Sequence, residues 1–203
     1  MVELNQTHDT FLSDKYFLEN DYDDKITLKT NKFQKIDELN KNLTRLQKEV
    51  VYALRYRNEI KLVDLGVKDQ LDLNFMIEVE PEVFFSPLVF CVAAGFLEGL
   101  QIMIHNVTLD LHLTDSQTGC NAFWFGAFYN RLACMKFLAA RGIDIYNKHK
   151  VSGANALHIA VQKKHYGIVE MLVQSGYELN HLMKDGISAL QIASSDLSSF
   201  GII

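Results

Sequence analysis

The sequence predicts an all-α protein, a solenoid of stacked helix–turn–helix pairs. Three observations carry that prediction. First, a helix-capping residue followed by proline or alanine recurs four times, at Ser86-Pro87, Asn121-Ala122, Asn155-Ala156 and Ser188-Ala189, at intervals of 35, 34 and 33 residues. Second, the fifth residue after each cap is small (Cys91, Gly126, Ala160 and Ala193), so helices can approach closely there. Third, 151–185 reads as two short apolar-striped helices around a tight turn, and neither is long enough to stand alone. A period near 33 with one helix pair per unit is the mark of a solenoid whose units bury their faces on one another.

Taken in order, residues 1–30 read as an acidic extended arm, by composition an interaction tail or a disordered one. Asp9, Asp14, Glu19, Asp21, Asp23 and Asp24 surround the few apolar anchors Tyr16, Phe17, Leu18 and Tyr22. Ordering such an arm needs compensating contacts, from its own repeats or from a partner. Residues 31–80 read as a helical cap or coiled-coil-like segment. A helix is predicted over 32–58, because Ile36, Leu39, Leu43, Leu46, Val50 and Ala53 alternate at spacings of three and four with charges on the other faces. That stripe suits docking on the first repeat or a partner helix. Asn58 to Gly66 can be read as the second helix of a decayed repeat.

The clearest unit spans 152–184. Asn155 caps its first helix, with Leu157, Ala160 and Val161 on one face. Lys163-Lys164-His165 turns the chain. Ile168, Val169, Leu172 and Val173 stripe the second helix, and Gly176 ends it. The run Gly153 to Ala160 resembles the ankyrin-repeat pattern G-x-T-P-L-H-x-A, and Gly176-Tyr-Glu-Leu-Asn180 resembles its G-A-D-V-N ending. The resemblance covers about 84–203, as units 84–117, 118–151, 152–184 and a partial 185–203. His158 falls on the pattern's histidine, which the resemblance implies ties neighbouring loops together. Val89, Trp124 and Gln191 replace it in the other units, Val107 replaces a helix-ending glycine, and Phe84 a turn glycine. The first unit therefore reads as divergent or capping. The fourth stops about halfway, as a truncated cap or the end of a fragment.

This register predicts a core of Leu88, Phe123, Leu157 and Leu190 from first helices and of Leu100, Met103, Met135, Leu138, Val169 and Leu172 from second helices. Gly119, Gly153 and Gly186 mark turns that project as fingers between units. Trp124 is expected in the core because it stands where the structural histidine would.

Composition excludes several functions. Apolar content of 48% suits a globular core, and a formal net charge of −5 makes no case for nucleic acid. No run of 18 apolar residues occurs, so no membrane insertion is expected. The first residues lack the basic and apolar regions of a secretion signal. Three cysteines, two of them at packing positions, read as reduced thiols. The seven histidines are scattered, and no metal-ligand spacing, phosphate loop or nucleophile elbow occurs. No catalytic residue, cofactor, metal or small-molecule substrate is expected, and the chain does not read as an enzyme.

Binding is the better account. The resemblance implies that finger tips and first-helix outer positions form one concave partner-binding surface. Here it would comprise Phe128, Tyr129, Arg131, Lys148, His149, Lys150, Lys163, Lys164, His165, Met183 and Lys184. Residues 117–184 carry eight basic and three acidic groups, an excess of +5, whereas 81–116 carry four acidic and no basic ones, −4. That points to an acidic partner segment. The first reading is a protein–protein scaffold or adaptor, a subunit of a larger cytoplasmic assembly, with the cytoskeleton among the candidates. The second is a regulatory or targeting module of a longer chain whose activity lies beyond residue 203. An enzyme using the arm as a lid is a third reading that no residue constellation supports.

Overall fold

The computed structural model describes residues 39–66, 71–80, 83–106 and 108–198. The expectations for the acidic arm, for Ile36 and for Val107 lie outside them. The described helices are α1 (Arg45–Arg55), α2 (Glu59–Gly66), α3 (Pro87–Ala93), α4 (Leu97–Met103), α5 (Ala122–Phe128), α6 (Leu132–Ala140), α7 (Ala156–Gln162), α8 (Tyr166–Gln174) and α9 (Ala189–Ser198). First helices α1, α3, α5, α7 and α9 pack in a row, each on the next. Behind them α2 packs on α4, and α4 on α6.

One local device closes four of these pairs. The second residue past the first helix has a left-handed φ: Arg57 at 49°, Gly95 at 65°, Asn130 at 58° and Lys164 at 60°. The next N–H then donates to a carbonyl five residues back: Asn58 to Ala53 (2.8 Å), Phe96 to Cys91 (3.0 Å), Arg131 to Gly126 (2.8 Å) and His165 to Ala160 (2.9 Å). These are Schellman-type ends that satisfy carbonyls the helix leaves open. The accepting residue is the small one of the repeat. At Gly126 an added Cβ would lie 2.5 Å from Met135 Cγ, so α5 and α6 meet closer than any side chain allows.

The predicted caps are made. Ser86, Asn121 and Asn155 side chains accept from main-chain N–H groups of their own first turns. The continuous helix expected over 32–58 is interrupted. Thr44 caps α1 through a capping box with Gln47, and residues 40–43 are turn. A good N-cap competes with helix propagation and wins here. The α1 stripe faces inward, onto α2 and α3.

A short antiparallel hairpin, β1 (Ile77–Glu80) with β2 (Val83–Phe85), leads into α3. It is the only sheet among the described residues and was not expected. Its signal is the alternation of Leu71, Leu73, Phe75, Ile77 and Val79, all buried, with more exposed neighbours. Asn40 mimics a strand partner, donating its amide to Glu78 O (2.8 Å) while Glu78 N–H donates back to Asn40 Oδ1 (2.9 Å).

Leu88, Phe123 and Leu157 are buried as predicted, with Leu100, Met103, Met135, Leu138 and Leu172. Val169 is half-buried. Leu190 is a correction: it is 77% exposed. Past α9 no described helix covers it.

Candidate interaction surface

The fingers are built by repetition. In the second finger, 115–120, Asp115 N–H donates to Cys120 O (2.9 Å) and Gly119 N–H to Asp115 O (2.8 Å). In the third, His149 donates to Ala154 O (2.9 Å) and Gly153 to His149 O (2.7 Å). In the fourth, Met183 donates to Ile187 O (2.9 Å) and Gly186 to Met183 O (3.0 Å). That finger is one residue shorter, which explains the last interval of 33.

Successive fingers are sewn together. Lys150 N–H donates to Thr118 O (2.7 Å), and Lys184 N–H to Ser152 O (2.9 Å). Asn147 Nδ2 donates to Gly119 O (3.0 Å), and its counterpart His181 bonds Gly153 O through Nε2 (3.1 Å). The lysine ammoniums continue the pattern, Lys150 on Ser116 O and Lys184 on Lys150 O, both at 2.5 Å. Gly119 and Gly153 have φ of +70° and +73°, and a Cβ on either would come within 3.2 Å of the next finger's lysine. Glycine is needed there for conformation and for space together.

The other predicted residues sit at the ends of α5 and α7. Phe128 is a correction: expected as an exposed anchor, it is only 6% exposed. It stacks on Trp124 at 5.7 Å, and the Lys163 ammonium lies 4.5 Å from its ring centroid. A bulky ring in the last turn of a packed helix is covered by its neighbours before a partner can reach it. Tyr129 is half-buried, edge-on to Phe128 at 4.9 Å. Arg131 Nε donates to Ala93 O (2.9 Å), and Arg57 donates to Ala94 O (2.6 Å). Two cations thus cap the carbonyl end of α3, where the helix dipole favours them. Burial lowers the Arg131 pKa. His165 Nδ1 lies 2.8 Å from Ala127 O and makes the same kind of tie one unit later. Burial holds the His165 pKa below its ordinary value, although the bond to Ala127 opposes the shift.

The eleven residues therefore fall in two rows. Lys148, His149, Lys150, Met183 and Lys184 line the third and fourth fingers, while Phe128, Tyr129, Arg131, Lys163, Lys164 and His165 line the helix ends. Trp124 joins the rows, with His149 at 5.9 Å on one side and Phe128 on the other. Most of these groups are engaged within the fold. Lys148, Lys150, Lys164 and Lys184 remain exposed, with Val151 beside them at the third finger tip. Sequence reasoning passed over Val151 and the stacked Tyr146–Tyr177 pair (5.2 Å), whose Tyr177 hydroxyl donates to Ile145 O (2.9 Å). Their signal was an aromatic near the end of each of two successive units, which spacing alone does not pair.

The three cysteines are free and buried. Burial raises the Cys91 thiol pKa well above its usual value and pushes Cys120 up to about 12 and Cys134 to about 11. Such thiols are poor nucleophiles near neutral pH. Among the described residues no group of three or more His, Cys, Asp or Glu side chains could hold a metal ion, and no helix is long and apolar enough to cross a membrane.

Comparison with known proteins agrees with this architecture. The family described as ankyrin repeats, in three copies, matches residues 88–185. The chain is also similar to the nuclear factor NF-kappa-B p105 subunit of Gallus gallus, at 31% identity over 77 residues. The match takes in 37% of this chain and 8% of that protein, so the chain spans a small part of its relative's length.

Proposed function

Because residues 88–185 are ankyrin repeats, a module that binds other proteins, we propose that this chain is a non-enzymatic scaffold or adaptor that holds an acidic segment of a partner protein along its third and fourth fingers. The observation that carries the reading is the placement of Lys148, Lys150 and Lys184 in one exposed row beside Val151, within the stretch whose charge excess is +5. Cations around an exposed apolar group suit an acidic peptide with an apolar anchor, and attraction between opposite fields speeds its capture. The partner belongs to a larger intracellular assembly, the cytoskeleton among the candidates. A second reading, a regulatory or targeting module within a longer protein, is favoured by the match to a small part of a much longer relative.

Site-specific crosslinking tests the surface. A photoreactive group at Lys148 should capture protein partners in extracts, and the yield should fall as salt rises above about 0.15 M. The same group at Lys136, exposed on α6, should capture few. Equal capture from both positions would remove the finger surface from consideration.

A further inference from the structure

Two successive first helices are capped alike and joined differently to the finger that follows. Asn121 Oδ1 accepts from the N–H groups of Phe123 and Trp124, each at 3.1 Å. Asn155 Oδ1 accepts from Leu157 (3.1 Å) and His158 (3.2 Å). The third residue after each cap reaches for the next finger. Trp124 succeeds, as its Nε1–H donates to Ala154 O at 3.1 Å.

His158 does not. Its Nδ1 lies 2.6 Å from Asn155 Oδ1. That oxygen already takes two main-chain N–H groups, so it is the acceptor and the neutral ring carries its proton on Nδ1. Nε2 is then a bare lone pair. It is buried and has no hydrogen-bond partner. It lies near the main chain of His181 and Ile187 without a hydrogen bond of acceptable geometry.

A cation, the Lys148 ammonium, stands close to this site beside His181. His181 stands edge-on to His158 at 5.7 Å. Its Nε2 bonds Gly153 O, so its Nδ1 is an acceptor, and the Lys148 ammonium lies 3.4 Å from it. Among the charged groups that act on His158, Asp185 is the acid and His181 the base. Lys184 is already committed to Lys150 O. His149, on the third finger, accepts from Ser152 N–H at 3.2 Å.

We propose that the joint between the third unit and the fourth finger opens in acid, through proton uptake by His158, whereas the joint at Trp124 does not. A proton on His158 places charge in a site closed to water. The indole of Trp124 cannot titrate in this range. In accord with the geometry, burial chiefly holds the His158 pKa below its ordinary value, against the opposing main chain of Ile187 and His181 and the Asp185 charge. Asn155 acts here as a positioning residue, because it selects the tautomer. A threonine hydroxyl in its place can accept from the main chain and still donate to Nδ1, which moves the ring proton to Nε2.

Two-bond proton–nitrogen correlation spectra and amide exchange of the whole chain, at about pH 7.5 and about pH 5, test this across the histidine range. At the higher pH, His158 should be the Nδ1–H tautomer. In acid, and corrected for intrinsic exchange, protection of the Lys184 amide should fall several-fold further than that of Lys150. Asn155→Thr should give the Nε2–H tautomer and remove most of that difference. An Nε2–H tautomer in the unmodified chain, or equal losses at the two amides, would overturn the proposal. So would an Asn155→Thr protein that switches tautomer and keeps the loss. If that variant fails to fold, the two measurements on the unmodified chain decide alone.

Discussion

The N-terminal helix pair and the middle units share a skeleton and differ in everything drawn on it. Arg57 and Lys164 turn the chain with the same left-handed φ, and Asn58 and His165 close the turn with the same bond. Yet α1 is capped by threonine and is four residues longer than α7, and the finger that follows it is a β-hairpin. The helix pair is thus the durable part of a unit, since the helix-end bonds and a small residue suffice to define it. The finger is the variable part, since any turn that pairs its own backbone can occupy that place.

Several substitutions bear on that comparison. The largest effect is expected from Leu62→Ala in α2 and Leu157→Ala in α7, both buried. Each should cost about 2–5 kcal/mol in denaturant unfolding. If the N-terminal pair belongs to the stack, both should shift one common transition. A separate early transition for Leu62→Ala would detach the pair. Exposed Leu190→Ala should be nearly silent.

Next, Gly126→Ala should cost about 1–3 kcal/mol by forcing α6 away from α5. Its counterpart Ala53→Gly should cost about 1 kcal/mol, from helix propensity alone. Thermal melts in which Gly126→Ala is stabilising would mean that the close approach is not needed. Thr44→Ala removes the capping box and should cost about 1 kcal/mol. Circular dichroism should register that loss as fraying of α1, without any change at α7.

The last effect is known in direction. The folded-state pKa of His165 lies below its unfolded value. Its contribution is therefore fully present above the unfolded value, near 6.5, and is lost as pH falls through the folded pKa. Stability should decline on acidification, and His165→Gln should flatten that decline. No histidine holds the equivalent turn of α1 and α2, where Asn58 stands in the place of His165. A pH profile unaltered by His165→Gln would assign the decline to other groups.

Much of the fold could be read directly. The caps Asn121 and Asn155, the small positions Gly126 and Ala160, and the turn glycines Gly119 and Gly153 declare themselves within a few residues. The candidate surface was read only in part. Lys148 and Lys164 are exposed as expected, whereas Phe128 turned inward and the ammoniums of Lys150 and Lys184 bind neighbouring fingers. Those outcomes depend on partners about one repeat away, which local pattern does not reveal.

The sequence by itself determined the repeat length, the register and the helix boundaries of the middle units. The reason is that a cap, a left-handed turn and an apolar stripe each make demands on residues within about one helical turn. Only the tertiary structure decided which polar groups face solvent and which unit ends are covered. Trp124 reaches Ala154 across 30 residues and Arg131 reaches Ala93 across 38. Leu190, placed like Leu157 in its unit, stays exposed because burial is a property of the next helix, and a residue's own helix cannot supply it.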